Sequence, residues 1–481
     1  MTLFSHLGRR GLLARIARPF VFLLMIVGLI GGAEMSAAIA TEFLSAQEAE
    51  LSRLLNDERV ARGLPGLPHS DALRTVARRH AQKMMVEGRI FHNERLAEDI
   101  QAVFPDWARV GENVGVSPSI PSVHRAFMDS PGHRANVLDP DWGWLGVGVV
   151  SGGSRLFVTE NFLKLRAGAP RPLPAQFRLA GATRTGTAEV IADFGFSPGT
   201  ASAVVLAPSG DFHGALAAGA LAAAVNGPLV LSGTDSLSQD ASDAIGRALG
   251  SNSGKTAYVV GGPFASGVQS SLAGLGLNVV ELGGADHIDT AAAVARALPG
   301  TPPAAIVTTV TNYPDALAGA ALSAVTGWPI LYTNPSSLSS GTVDVLDELG
   351  IGSTYVLGGT AAVSQTVANQ LGTAGAPVAE RIAGTDRYGT GAAIATFGLS
   401  RGLRADHVMI ATGQNFPDAL AGGGLADVLK APVLLTPTGS LAPAAAGWLS
   451  QHKATIDAVY LLGGGAALSA QVEDAIASVL R

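Results

Sequence analysis

Residues 178–481 alternate short apolar runs with longer stretches of helical periodicity. Near the start of this region, an apolar run at 203–207 precedes a predicted helix over 211–226. The same part of the chain then predicts strands at 229–231 and 257–260, and helices at 241–249 and 266–272. Strands that alternate with helices in this way pair in parallel, with helices on both faces, so the pattern predicts a doubly wound α/β fold.

This order of elements occurs three times. The motif Arg178-Leu-Ala-Gly-Ala-Thr-Arg184 returns as Glu281-Leu-Gly-Gly-Ala-Asp-His287 and as Arg381-Ile-Ala-Gly-Thr-Asp-Arg387. Three other features recur in the same order in each unit. They are a second motif, a strand that begins after a proline, and a strand that ends in paired glycines. The repeat length of about 100 residues suits a small domain better than a solenoid turn. The predicted units are residues 178–280, 281–380 and 381–481.

Residues 41–163 have a different pattern, typical of a separate α+β domain. Ser45 and Glu48 form a predicted capping box that opens a first helix, and a second helix is expected to begin near Ser70. Strands are predicted at 146–150 and 155–158. Residues 164–177 contain several prolines and are predicted to be a linker of limited flexibility.

The three units resemble the cell wall-binding repeat type 2 family. The matching motifs in the third unit are Arg-Ile-Ala-Gly-Thr-Asp-Arg-Tyr, Asn-Phe-Pro-Asp-Ala-Leu, Pro-Val-Leu-Leu and Leu-Gly-Gly. The second unit departs from the family at Gly283 and His287, and the first has His213-Gly214 where the others have Pro-Asp. The resemblance implies non-covalent attachment to an anionic cell-wall polymer.

Residues 41–163 resemble the cysteine-free bacterial branch of the CAP superfamily (cysteine-rich secretory, antigen 5, pathogenesis-related). The resemblance rests on Leu-Leu-Asn-Asp-Glu-Arg, Ile-Phe-His-Asn, Gly-Glu-Asn-Val and Ser-Pro-Gly-His-Arg-Ala-Asn-Val-Leu, in that order. It implies an α-β-α sandwich in which His92, Glu112 and His133 face a central cleft. Glu160 stands where the family usually has glutamine.

Three interpretations of this cleft stay open from the sequence. His92 and His133, with Glu112, could bind Zn²⁺ and leave one position open, although the domain requires no cofactor. A glutamate beside a histidine could instead act as a base on water. These side chains could also serve only loop hydrogen bonds and packing. We expect a binding or presenting domain with an unknown ligand, and the alternative is a metal-dependent hydrolase or protease acting at the wall.

Candidate polymer-binding groups lie where strands of the three units end. Paired glycines at Gly358-Gly359 and Gly463-Gly464 could bring backbone N–H groups to an anion, or could serve close packing of strand and helix. Arginines could bind phosphate or carboxylate in a bidentate manner, or pair with local aspartates. The candidate arginines are Arg178, Arg184, Arg381 and Arg387. We expect the units to associate edge to edge, with these groups in grooves between them.

The charge distribution limits how such a polymer is held. The chain carries −6 overall, but residues 178–481 hold twelve Lys and Arg against twenty-one Asp and Glu, a balance of −9. Bulk attraction to an anionic polymer is therefore excluded, and nucleic acid is not an expected partner. Binding needs a few converging donors or bridging divalent cations.

Residues 1–40 are a predicted signal peptide, with four arginines before an apolar run and a small-x-small cleavage site at 38–40. The general export route is the default, and the pair Arg9-Arg10 leaves a twin-arginine route open. The chain has no cysteine, which excludes disulfides and thiolate metal sites. No membrane span is expected in the mature chain. These features predict a protein secreted to the surface of a Gram-positive bacterium, and the arginine-, alanine- and glycine-rich composition suggests an actinobacterium.

Overall fold

The computed structural model describes the backbone of residues 32–481, and side chains from Ser45 onward. The predicted signal peptide, residues 1–40, lies almost wholly outside these residues and stays a prediction. The first helix, α1 (Gly32–Ala61), runs through Ser45 rather than beginning there. The predicted capping box is therefore wrong, because the Ser45 hydroxyl accepts a hydrogen bond from the Arg178 backbone N–H at 2.8 Å. Within the described part of the chain, none of the helices combines the length and apolarity needed to cross a bilayer.

The N-terminal domain is the predicted α-β-α sandwich. Its antiparallel sheet has the order β1-β3-β2, with β1 Trp107–Ser117, β2 Trp144–Gly152 and β3 Arg155–Leu165. The other helices are α2 Asp71–Glu87, α3 Leu96–Val103, α4 Ile120–Asp129 and α5 Pro131–Val137. Helix α2 lies so close to one face that a Cβ on Gly148 would be 2.3 Å from the Ala77 carbonyl carbon. Helix α4 covers the other face, where a Cβ on Gly115 would be 2.8 Å from Phe127.

The remaining residues form three four-stranded sheets, all parallel, as predicted. The strands are β4 Ala175–Leu179, β5 Ala203–Pro208, β6 Leu229–Ser232, β7 Thr256–Val260, β8 Asn278–Leu282, β9 Ala305–Thr309, β10 Ile330–Thr333, β11 Thr354–Leu357, β12 Val378–Ile382, β13 His407–Thr412, β14 Val433–Thr436 and β15 Ala458–Leu462. Their orders are β6-β5-β7-β8, β10-β9-β11-β12 and β14-β13-β15-β4. Strands β5, β9 and β13 each have the next strand of the chain on one side and the strand after that on the other. Doubly wound folds bind ligands at this change of side.

Helices separate these strands throughout. They are α6 Arg184–Gly195, α7 Phe212–Ala217, α8 Gly219–Ala224, α9 Gln239–Leu249, α10 Ser266–Gly274, α11 His287–Arg296, α12 Pro314–Thr326, α13 Ser340–Glu348, α14 Gln365–Thr373, α15 Arg387–Leu399, α16 Gly422–Leu429, α17 Pro443–His452 and α18 Ala470–Leu480. The helix predicted over 211–226 is divided into α7 and α8 at Ala218, whereas its counterpart α12 is continuous.

The boundaries of the sheets differ from the boundaries of the sequence repeats. Strand β8, which carries the motif that opens the second unit, completes the sheet of the first unit, and β12 likewise completes the sheet of the second. Strand β4, which opens the first unit, pairs in parallel with β15 of the third, with Phe177 opposite Tyr460. Each unit therefore gives one strand to another unit's sheet, and the exchange closes the three units into a ring.

Three central helices, α8, α12 and α16, meet inside this ring. Gly219, Ala320 and Gly423 occupy the same motif position in the three units. A Cβ on Gly219 would lie 3.1 Å from the Ala320 carbonyl oxygen, and one on Gly423 would lie 3.3 Å from the Ala320 Cβ. Small residues at this point permit the close approach, so the units pack through these central helices as well as through the exchanged edge strands.

The N-terminal domain packs directly against the ring, and residues 42–481 form one compact unit. Arg74 of α2 donates to the Gln176 carbonyl oxygen at 2.7 Å. Arg53 of α1 donates to the Phe194 carbonyl oxygen at 2.7 Å. The Pro-rich segment is itself held, because Arg171 donates to Asp457 Oδ1 at 2.7 Å. The proline-rich connection is thus part of an extensive contact between the two regions.

Candidate functional site

A cavity lies between the second and third units, at the carboxyl ends of β9 and β11. Its volume is about 340 Å³. Its lining residues are Thr309, Thr311, Asn312, Pro314, Asp315, Gly359, Ala361, Ala362, Gly384, Thr385, Asp386, Arg387 and Thr390. Two predicted polymer-binding residues, Gly359 and Arg387, are therefore together in one cavity. Hydroxyl, amide and guanidinium groups dominate its polar lining, and these groups suit a polymer with many oxygen atoms.

The other predicted glycines have a different role. Gly358 and Gly463 are buried and have φ values of +94° and +99°, a conformation that favours glycine. A Cβ on Gly358 would be 2.2 Å from the Asp315 carboxylate, and one on Gly463 would be 2.8 Å from that of Asp418. These two glycines therefore make room for an aspartate, while the half-buried Gly359 and Gly464 are the members of each pair that face outward.

Two of the predicted arginines brace the strand-end glycines. Arg178 Nη1 donates to the Gly463 carbonyl oxygen at 2.7 Å, and Arg381 Nη1 donates to that of Gly358 at 2.9 Å. The buried Nη2 of Arg381 has no protein partner. Burial lowers the pKa of Arg381 from its ordinary value. Arg178 is buried and Arg381 is half-buried, and each side chain supports the glycine loop through its hydrogen bond.

The other two arginines lie at junctions between units. Arg387 of the third unit donates to the Gly413 carbonyl oxygen at 2.6 Å. Burial raises the pKa of Asp315 in the second unit, and the charge of Arg387 acts against that rise. Arg184 of the first unit stands in the same relation to Asp418 of the third, whose pKa burial also raises. The charge of an arginine from one unit therefore acts on a carboxylate of another at two of the three junctions.

The junction of the first and second units differs. His287 replaces the arginine, and its carboxylate partner is Asp211, with His287 Nδ1 3.4 Å from Asp211 Oδ2. His213 stacks on His287 with 3.6 Å between ring centroids. Among the described residues, this is the only group of three His, Asp or Glu side chains with ligand atoms all within 4.8 Å. A cavity of about 820 Å³ adjoins it, lined by Gly261 and His287 among others.

In the N-terminal domain, two of the three predicted cleft residues are in direct contact. His92 Nδ1 lies 2.9 Å from Glu112 Oε1, and the Asn93 backbone N–H donates to the same oxygen at 2.9 Å. Glu112 is buried, whereas the His92 side chain is 67% exposed, so the pair stands at the surface of the cleft. Burial, and to a lesser degree the charge of His92, lowers the pKa of His133 from its ordinary value.

A buried polar network lies beneath this cleft. Asn113 Nδ2 donates to Glu160 Oε2 at 2.9 Å and to the His133 carbonyl oxygen at 3.2 Å. Asn136 Nδ2 donates to Asn113 Oδ1 at 2.9 Å. Burial raises the pKa of Glu160 to about 8, against the effect of its hydrogen bond from Asn113. Glu160 is therefore mostly protonated at neutral pH, which gives it the neutral character of the glutamine usual at this position.

Several residues of these sites were not predicted from the sequence. Asp211 was one member of a repeated motif, and His213 and His287 were noted only as separate departures from it. Nothing in the local pattern indicates that the three side chains meet, because about 75 residues separate His287 from the other two. The aligned motifs do contain one indication of this contact. The first unit has Gly214 in place of the aspartate and the second has His287 in place of the arginine, so both changes fall at the same junction.

Comparisons with known proteins agree with this structure. The family model "Cell wall binding domain 2 (CWB2)" matches residues 178–266, 281–368 and 381–473. The model "Cysteine-rich secretory protein family" matches residues 53–162. The chain resembles Cwp8 from Clostridium difficile in fold, with a TM-score of 0.59 and 22% identity over 86% of this chain and 69% of that one.

Two curated relatives come from Bacillus subtilis (strain 168). N-acetylmuramoyl-L-alanine amidase LytC is 34% identical over 54% of this chain and 50% of its own length. Amidase enhancer is 29% identical over 62% of this chain and 40% of its own length. The chain thus spans half or less of the curated relatives that it matches here. The three CWB2 matches together cover more than half of the sequence. The chain therefore belongs to the cell wall binding domain 2 family, with a CAP domain preceding its three repeats.

Proposed function

We propose that this chain is exported and held on a Gram-positive cell wall by its three repeats, where it presents its CAP cleft. Membership of the cell wall binding family and the names of the two Bacillus relatives support a location at the wall. Actinobacterial origin rests on composition alone and stays a prediction.

The cavity at the junction of the second and third repeats is the observation on which polymer binding rests. Its lining includes Arg387, Gly359 and the hydroxyl-bearing residues Thr309 and Thr390. Asp315 and Asp386 line the same cavity, so it does not attract anions by net charge. Affinity comes instead from hydrogen bonds to polymer hydroxyls, with Arg387 as the charged donor to phosphate or carboxylate. This mode of binding is consistent with the net negative charge of the three repeats, which excludes bulk attraction to an anionic polymer.

Cell fractionation tests the proposal with the full chain. We expect an epitope-tagged chain in the wall fraction, and a double variant, Arg184→Ala with Arg387→Ala, released in larger part to the medium. Lys453→Ala removes an exposed cation outside the junctions and is the matched control. A full chain that stays in the cytoplasm would contradict export, and one found only in the medium would contradict wall retention.

A second candidate function is hydrolysis at the CAP cleft. It rests on the 2.9 Å contact of His92 with the buried carboxylate of Glu112, because a glutamate beside a histidine can act as a base on water. Incubation of the full chain with purified walls or with peptides tests it. Product that forms with the parent and is lost in Glu112→Gln would support an enzyme. Equal product from both proteins, or none from either, would leave presentation as the function of the domain.

A further inference from the structure

The junction of the first and second repeats lacks both the aspartate and the arginine that the other two junctions have. Gly214 stands at the position of Asp315 and Asp418, and His287 stands at the position of Arg184 and Arg387. A carboxylate is nevertheless present, because Asp211 supplies one from three positions earlier in its motif. This junction thus has a carboxylate and two imidazoles where the others have an aspartate and an arginine.

The hydrogen bonds of His213 restrict what can lie between it and Asp211. His213 Nε2 is 2.8 Å from the Val310 carbonyl oxygen, which can only accept, so Nε2 carries the proton. His213 Nδ1 is 2.6 Å from Asp211 Oδ1, and two lone pairs do not face each other at that distance. At this spacing a proton lies between Nδ1 and Asp211 Oδ1, and a metal ion bound by both atoms would displace it and move them apart. Histidine metal ligands commonly donate their other ring N–H to a backbone carbonyl, as His213 does here.

The unequal exposure of the two histidine side chains leaves a route for an ion on the side of His287. The His213 side chain is 11% exposed and fixed at both nitrogens, whereas the His287 side chain is 47% exposed. Bringing both Nδ1 atoms to about 2.1 Å from one ion requires the two parallel rings to tilt apart, and the exposed ring of His287 is the one free to turn. His287 also lines the adjoining cavity, so a fourth ligand can approach from that side.

We propose that Asp211, His213 and His287 form a binding site for Zn²⁺ or a similar divalent transition metal. Two imidazole nitrogens and one carboxylate oxygen are a common set for zinc with an open fourth position. The fourth position faces the cavity, where water or an oxygen atom of a ligand can coordinate. The ion supplies the positive charge that arginine supplies at the other two junctions. This site is independent of the wall-binding proposal and of the CAP cleft.

The test measures Zn²⁺ binding by calorimetry on the full chain after removal of metal with a chelator. The variants share a background of His92→Gln and His133→Gln, which removes the histidine nitrogens of the CAP cleft. In this background we expect one Zn²⁺ per chain with micromolar or tighter affinity. His287→Arg restores the residue of the other two junctions and keeps the fold, and it should weaken binding at least tenfold. His452→Arg, at a surface helix of the third repeat, is the matched control and should leave binding unchanged.

Either of two results would overturn the proposal. The first is no Zn²⁺ bound by the background protein, which would show that the three side chains form only a hydrogen-bonded cluster. The second is equal affinity in the background protein and in His287→Arg. Circular dichroism of each variant before titration shows that any loss of binding is not a loss of fold.

Discussion

Arg178 and Glu473, 295 positions apart, form the ion pair that closes the ring of repeats, with Arg178 Nε donating to Glu473 Oε1 at 3.0 Å. Arg178 belongs to β4, the first strand of the first repeat, and Glu473 belongs to α18, the last helix of the third. The arginine is buried and also braces the Gly463 carbonyl oxygen. One side chain thus joins the two ends of the triplet.

Replacing this arginine should destabilise the whole ring. Arg178→Met keeps much of the side-chain volume but leaves Glu473 and the Gly463 carbonyl oxygen without their donor. We expect a loss of about 2 kcal/mol in the free energy of unfolding, measured with urea, because one partner of a partly buried pair is left alone. Lys453→Met, at an exposed position, should change it by less than about 0.5 kcal/mol. Equal effects of the two substitutions would show that the pair does not close the ring.

The sequence predicted the class of the fold but not this closure. The alternation of strands and helices is a local property, so the parallel α/β units and the ends of their strands could be placed from periodicity. The pairing of β4 with β15 is not local, because strands with the same motif can complete either their own sheet or a neighbour's. For the same reason, the docking of Arg74 and Arg53 onto the ring had no counterpart in the sequence pattern.

The candidate site, like the fold, could be predicted only in part from the sequence. Motif comparison predicted strand-end glycines and arginines in grooves between the repeats, and Gly359 and Arg387 line one cavity, while polymer binding there stays a prediction. It could not show that Arg381 supports Gly358 whereas Arg387 lines the same cavity as Gly359, because the two arginines lie in one short motif. The contact of His92 with Glu112 was predicted from family resemblance, while binding of zinc there stays a prediction.

The central contact of the ring should tolerate only small residues. Gly423→Val places a branched side chain against Ala320 of the neighbouring repeat, where even a Cβ would be 3.3 Å from the Ala320 Cβ. We expect a loss of about 1–3 kcal/mol in the free energy of unfolding, since there is no room to repack three helices at once. Gly447→Val, also inside a helix but with nothing within 4 Å of its Cβ, is the control and should not destabilise the protein. A stable Gly423→Val protein would contradict the packing.

Glu160 should make stability depend on pH. Burial raises the pKa of its carboxyl to about 8 in the folded protein, whereas the unfolded chain ionises near its ordinary value of 4.5. Its contribution is therefore complete below about pH 4.5 and is lost as pH rises toward 8. Glu160→Gln keeps an acceptor for Asn113 and cannot ionise. The variant should match the parent near pH 4.5 and exceed it in thermal stability at pH 8. Parallel curves for both proteins over this range would show that Glu160 does not titrate there.

Arg387 should contribute more to wall affinity than other cations of the third repeat. Arg387→Ala removes the charged donor of the junction cavity, so we expect about a tenfold rise in the dissociation constant for isolated walls. Arg381→Ala should act mainly on stability, because that side chain braces Gly358. Salt should weaken the Arg387 contribution, since the side chain is partly exposed and its charge interactions are screened. Release by a chelator at constant salt would show instead that divalent cations bridge protein and polymer.

Binding of the purified full chain to two preparations of the same wall tests the proposed function most directly. One preparation is native, and the other is stripped of its anionic polymers by mild acid, which leaves the peptidoglycan. Co-sedimentation at a fixed salt concentration gives a dissociation constant for each. Saturable binding to native walls that falls at least tenfold on stripped walls is the predicted result. Equal binding to both preparations, or none to native walls, would contradict attachment through an anionic wall polymer.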